Sequence, residues 1–111
     1  MLKIETSKNS NYTEIKLIGE VDASNSVELD EAIVALVEND TKNILVDGTQ
    51  LEYISSAGLG VFMSYIEDFN DKKISLVIFG LNDKVFHVFQ ILGLDQLINI
   101  KSNKEDAVME L

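Results

Sequence analysis

Cysteine is absent from the 111-residue chain, which excludes disulfides, thiolate metal sites and cysteine nucleophiles. Arginine is absent as well: the 9 basic residues are all lysine, set against 19 acidic residues for a net charge of −10. Without a guanidinium there is no bidentate clamp for phosphate or carboxylate, and the negative balance opposes the backbone of DNA or RNA. Nucleic acid is therefore a poor partner. The acidity is accounted for equally well by solubility and by faster encounter with a basic protein face. No apolar run approaches the roughly 20 residues of a membrane span, and Met1-Leu2-Lys3-Ile4-Glu5 lacks the apolar core of a signal peptide. The expectation is a soluble, cytoplasmic protein with no membrane partner.

Hydrophobic residues make up 46% of the chain, enough for one packed domain, residues 1–111, around a sheet covered on both faces. Leu2 to Thr6 and Tyr12 to Ile18 read as an opening hairpin across a polar turn, the second strand ending at Gly19. Ala23-Ser24-Asn25-Ser26 then offers several N-caps, with Glu28, Asp30 and Glu31 in the first turns and a stripe of Leu29, Ala32, Ile33, Leu36 and Val37. Ile44-Leu45-Val46 is a buried strand ending at Asp47-Gly48. A second helix carries Leu59, Phe62, Met63, Ile66 and Phe69 until the polar Asn70-Asp71-Lys72-Lys73. Ile74 to Phe79 forms the next strand, closed by Gly80; Asn82 caps a third helix with Val85, Phe86, Phe89 and Leu92, ending at Gly93. Ile98-Asn99-Ile100 adds an edge strand, and the Ser102 to Glu105 spacing of a capping box starts a last short helix. This order predicts an α/β domain with a mainly parallel sheet of about four or five strands and about four helices.

The most informative stretch is Tyr53-Ile54-Ser55-Ser56-Ala57-Gly58-Leu59-Gly60-Val61, which puts two hydroxyls where a strand gives way to a helix. Unpaired N–H groups and a positive macrodipole at a helix start tolerate negative charge, so a phosphate on Ser56 would not unfold the helix. Asp22 and the Ser55-Ser56 turn both follow strands, which places them at one edge of a parallel sheet.

Other chemistries find little support. A serine hydrolase would need a base, and the one histidine, His87, lies among Phe86, Val88 and Phe89 on a helix, in a packing or surface role. Asp22 and Asp47 follow strands as a conceivable Mg²⁺ pair, but nothing completes an octahedral site. Gly58-Leu59-Gly60 lacks the third glycine of a dinucleotide loop, and no P-loop motif occurs; the expected role of Gly58 and Gly60 is close helix packing. Phe62, Met63, Phe69, Phe79, Phe86 and Phe89 read as core.

Gly19-Glu20-Val21-Asp22 and the nine residues from Tyr53 to Val61, taken with element order and length, resemble the STAS domain. Within it the chain is similar to the small anti-sigma-factor antagonists of bacterial partner-switching systems, over nearly its whole length. The resemblance implies a non-enzymatic protein without cofactors that, when unphosphorylated, binds an anti-sigma factor serine kinase of histidine-kinase-like ATPase fold and displaces the sigma factor. The kinase then phosphorylates the antagonist, and a PP2C-type phosphatase restores it. Aligned on Gly58-Leu59-Gly60, the family's phosphoacceptor falls on Ser56, with Ser55 as the rival. Ser55 itself stands where the family commonly has aspartate, and Ala57 where it has a small hydroxyl residue. The implied docking surface comprises Asp22, Ala23, Ser24, Asn25, Ser55, Ser56, Ala57, Gly58, Leu59 and Gly60 of a monomer. The alternative is an unphosphorylated STAS scaffold, or an accessory subunit of a transporter or stress-signalling complex.

Overall fold

Two unlike faces of a sheet follow from side-chain alternation, and a computed structural model describing residues 1–111 shows how they are filled. Strands β1 (Leu2–Lys8), β2 (Thr13–Val21), β3 (Asn43–Ile54), β4 (Ser75–Phe79) and β5 (Asn99–Lys101) lie side by side in that order. The β1–β2 pair is antiparallel and the other three pairs are parallel. Helices α1 (Ser26–Glu38), α2 (Ser56–Lys72) and α3 (Asp83–Ile91) bury Leu29, Ile33, Leu59, Phe62, Val85 and Phe89 against Ile15, Leu17, Val46 and Ile78 in the main core. The short α4 (Lys104–Met109) covers the opposite face, where Ala107 meets Leu45, Val77 and Phe79. The α/β class, the mostly parallel five-stranded sheet and the four helices thus match the expectation.

Cover on both faces holds for β3 and β4 only. Over β1 and β2 the second face carries Glu5, Glu14 and Lys16, polar residues in contact with water, with Glu14 tied to Lys104 of α4 at 2.9 Å.

Several boundaries move, each for a local reason. β2 runs past Gly19 to Val21, because Gly19 takes φ +100 inside the strand, where a Cβ would strike the Met1 carbonyl oxygen. β3 runs past Asp47-Gly48 for a total of 12 residues. That Asp-Gly pair is a kink rather than a turn: Asp47 Oδ1 accepts from Thr49 N at 2.9 Å and from Thr49 Oγ1 at 2.7 Å. The register against β2 slips at this point and again after Gly19, so the longer β3 still ends with Ile54 opposite Val21. A 3₁₀ turn at Leu94–Gln96, absent from the sequence expectation, precedes β5. The cap of α4 is Asn103, whose Oδ1 accepts from Asp106 N at 2.8 Å, in place of the Ser102 box. Met63, expected in the core, is half exposed at 50%, and so is Leu92, expected on the third helix, at 49%. Met63 lies on the rim of the α2 stripe, and Leu92 is the C-cap of α3.

One polar bond ties α1 to α2: Tyr65 Oη donates to Asp30 Oδ1 at 2.6 Å. Burial raises the Tyr65 phenol pKa, and the Asp30 bond and charge raise it further. A raised acid pKa contributes stability below the ordinary tyrosine value of about 10, lost as pH climbs through the folded value. Tyr65→Phe should lower unfolding free energy by about 1–2 kcal/mol in urea at neutral pH, the range for a partly exposed bond to a charged acceptor. An unchanged urea midpoint would show that the bond contributes nothing.

Candidate functional site

The site begins where β2 and β3 end side by side. Ser55 N donates to Val21 O at 2.8 Å, so the first residue after β3 is fastened to the last residue of β2. Ser55 is extended, with φ −86 and ψ 172, and serves as N-cap of α2, its Oγ accepting from Gly58 N at 3.3 Å. Leu59 N donates to Ser55 O at 2.9 Å, the first bond of the helix. Ser56 is therefore the first helical residue; it is exposed, and its hydroxyl has no hydrogen-bond partner within the chain.

Gly58 has no room for a side chain. A Cβ there would lie 2.6 Å from Val21 Cγ1 and 2.8 Å from Ile54 Cγ1, so glycine lets the start of α2 rest directly on the strand ends. Gly60 is different from its expected packing role: nothing lies within 4 Å of a Cβ built on it, and it faces solvent. Leu59 is buried beneath the turn at 1% exposure.

The neighbouring Asp22 turn is held by its own polar atoms. Asp22 Oδ1 accepts from Ser24 Oγ at 2.6 Å, Ser24 N at 2.9 Å and Asn25 N at 3.2 Å. Asn25 accepts from Asp22 N at 2.9 Å and donates to Glu20 O at 3.0 Å, so the side chain that was expected to cap α1 instead closes the turn onto β2. The Ser24 hydroxyl and then its backbone N–H hold the Asp22 carboxyl below the usual carboxylate range. The expected surface residues thus divide. Ala23, Ser24, Ser56 and Gly60 are exposed, Asp22, Ser55 and Ala57 are half exposed, and Asn25, Gly58 and Leu59 lie underneath as supports.

Charge sets α2 apart from the other helices. The first turns of α1, α3 and α4 carry Glu28, Asp83, and Glu105 with Asp106, whereas α2 has no acidic residue in its first turn. In a chain of net charge −10, this helix start alone is left without a native negative charge.

Asp47 is not brought to the site. It pairs with Lys16, six residues short of Asp22 and so about 20 Å away along the sheet, and its carboxylate is engaged by Thr49. His87 is exposed on α3 and bonds to neither serine. Nothing in the sequence assigns a surface role to Tyr53, which enters only as the start of the serine stretch, or to Val27; they are 46% and 59% exposed on β3 and α1 beside the serines and the Asp22 turn. The mixed pattern at a strand end and in a first helical turn leaves no periodic signal for them.

Two outcomes test this geometry. Gly58→Ala should destabilise by roughly 1–3 kcal/mol in urea unfolding, since the β-branched Val21 and Ile54 cannot both move aside. The Asp22 carboxyl, followed by carbon-detected NMR, should titrate below 3.8 and move upward in Ser24→Ala. A depressed carboxylate pKa adds stability above the unfolded value that is lost as pH falls through the folded one, so Ser24→Ala should matter least in acid.

Comparison with known proteins agrees with this construction. The STAS domain profile matches residues 3–107. The anti-sigma-B factor antagonist of Staphylococcus aureus is 31% identical over 104 residues, covering 94% of this chain and 96% of the relative. Among solved structures, an anti-sigma factor antagonist from Mycobacterium paratuberculosis superposes with a TM-score of 0.89 at 18% identity, over 98% of this chain and 92% of the other. The Bacillus cell fate determinant SpoIIAA in its phosphorylated form superposes at 0.71 with 17% identity, over 98% and 97%. Sequence and fold point the same way, and the chain belongs to the STAS domain family, among its anti-sigma-factor antagonists.

Proposed function

We propose that the protein is the antagonist of a bacterial partner-switching system, acting in the cytoplasm. Unphosphorylated, it binds an anti-sigma factor that is a serine kinase of histidine-kinase-like ATPase fold. The kinase moves the γ-phosphoryl group of ATP to Ser56 Oγ, the hydroxyl proton leaves, ADP is formed and the complex separates. A PP2C-type phosphatase hydrolyses the ester back to the free hydroxyl and inorganic phosphate. In this reading the chain supplies an acceptor and a surface and performs no catalysis.

The observation that carries the reading is the exposed, unpartnered Ser56 hydroxyl at the one helix start without an acidic residue. Ser55 is the weaker candidate, because its Oγ already accepts from Gly58 N and a phosphate there would remove the cap of α2. The names of the relatives, and the existence of SpoIIAA in a phosphorylated form, support the same role.

A phosphate adds about −1.5 to −2 charge at neutral pH, and the free N–H groups of the first turn of α2 accommodate it without melting the helix. Its effect then falls on the partner. Repulsion and desolvation of a few kcal/mol at a closely packed interface weaken binding by roughly two to three decades. The Asp22 turn, fixed beside it by the Ser55 to Val21 bond, forms the adjoining part of the docking surface.

Titration calorimetry with the kinase partner tests the proposal. Ser56→Ala should bind as tightly as the unmodified protein, and Ser56→Asp should bind at least about tenfold more weakly, each with an unchanged melting temperature. Equal affinity of the Asp variant would remove Ser56 from the interface and favour the accessory-subunit reading.

A further inference from the structure

Strand β5 is too short to complete its edge of the sheet. It pairs with β4 only from Val77 to Phe79, leaving Ser75 and Leu76 of β4 without a fifth strand beside them. The gap is a half-open groove of about 540 Å³ between α2 and the 3₁₀ turn with β5. One wall is α2, where the partly exposed Tyr65 and Ile66 lie over the buried Phe62 and Phe69, and the other includes Leu97, 62% exposed.

The α2 wall is preformed. Tyr65 is held by its bond to Asp30, and its ring lies 5.1 Å from that of Phe69. The charged residues lining the groove are Glu67 and Asp95, with no lysine among them; Lys72 on the same helix is paired with Asp68 at 3.2 Å. Phe62 to Phe69 begins six residues after Ser56, about 9 Å along the helix and beyond the reach of a phosphate at its start.

From this we propose that the groove is a second docking site, distinct from the serine turn, for an amphipathic helical segment of a partner protein whose apolar side chains are flanked by lysine or arginine. The partly exposed Tyr65 and Ile66 on α2, with Leu97 opposite, give the apolar side of an amphipathic helix a surface to lie on. The carboxylates at the rim select basic residues, and they also disfavour a second copy of a chain that itself carries −10. A small ligand would be poorly enclosed by a groove open along one side. The two sites share α2, so one partner can grip the protein at the groove while the serine turn engages or releases another surface.

The test uses the full chain labelled with ¹⁵N and two synthetic peptides of equal charge. One is an amphipathic leucine–lysine helix, and the other has every leucine replaced by serine. The leucine–lysine peptide should shift the amides of Tyr65, Phe69, Asp95 and Leu97 saturably, and the serine–lysine peptide should not. Leu97→Ser, and separately Glu67→Lys with Asp95→Lys, should each weaken that binding by about tenfold while leaving circular dichroism and melting temperature unchanged. The proposal is overturned if both peptides bind equally, if no saturable binding occurs, or if the shifts centre on the serine turn. A concentration-dependent dimer in sedimentation that Leu97→Ser abolishes would overturn it in favour of a second copy.

Discussion

The close approach of α2 to the ends of β2 and β3 is the contact on which the site depends. Gly58 leaves no side chain between the helix and Val21 with Ile54, and the Ser55 N–H reaches Val21 O at 2.8 Å. Any side chain at position 58 would lift the first turn off the sheet. The Asp22 turn and the Ser56 hydroxyl would then lose their common frame. The two register slips in β3 belong to the same constraint, since they bring Ile54 level with Val21 despite the greater length of β3.

Charge does different work from packing in this molecule. The ion pairs Lys3–Glu5 and Lys72–Asp68 are exposed, and pairs of that kind contribute about 0–1 kcal/mol. Stability rests on the apolar cluster beneath α1, α2 and α3, where each fully buried Leu, Ile or Phe contributes about 1.5–3 kcal/mol. A further negative group at the start of α2 touches none of that cluster. A switch that acts by adding charge can therefore alter what the surface binds while the fold stays as it is, and the positive end of α2 is where the addition is cheapest.

Much of this was legible in the sequence, because element type follows hydrophobic period and the serine turn is framed by Gly58-Leu59-Gly60. What was not legible depended on contacts between distant segments. Asp47-Gly48 has the composition of a turn, yet Thr49 satisfies the Asp47 carboxylate and the strand continues. Gly19 reads as a strand end until Met1, just ahead of β1, is seen crowding it. Asn25 has the chemistry of an N-cap and uses it to reach Glu20 behind it. Gly58 and Gly60 look equivalent in sequence, and only the fold shows that one rests on Val21 and the other on nothing. The sequence marks β5 as three residues long, but the groove beside it depends on how α2 and the 3₁₀ turn pack there, which no local pattern encodes.

Under the proposed function, the free hydroxyl at the first position of α2, and not the capping hydroxyl before it, receives the phosphate. The most direct measurement is phosphosite mapping by mass spectrometry, after the intact protein is incubated with ATP and its kinase partner, with complex formation followed in the same samples. A single phosphate should appear on Ser56 as the complex disappears. Phosphate on Ser55, or a complex that persists with Ser56 fully modified, would contradict the proposal.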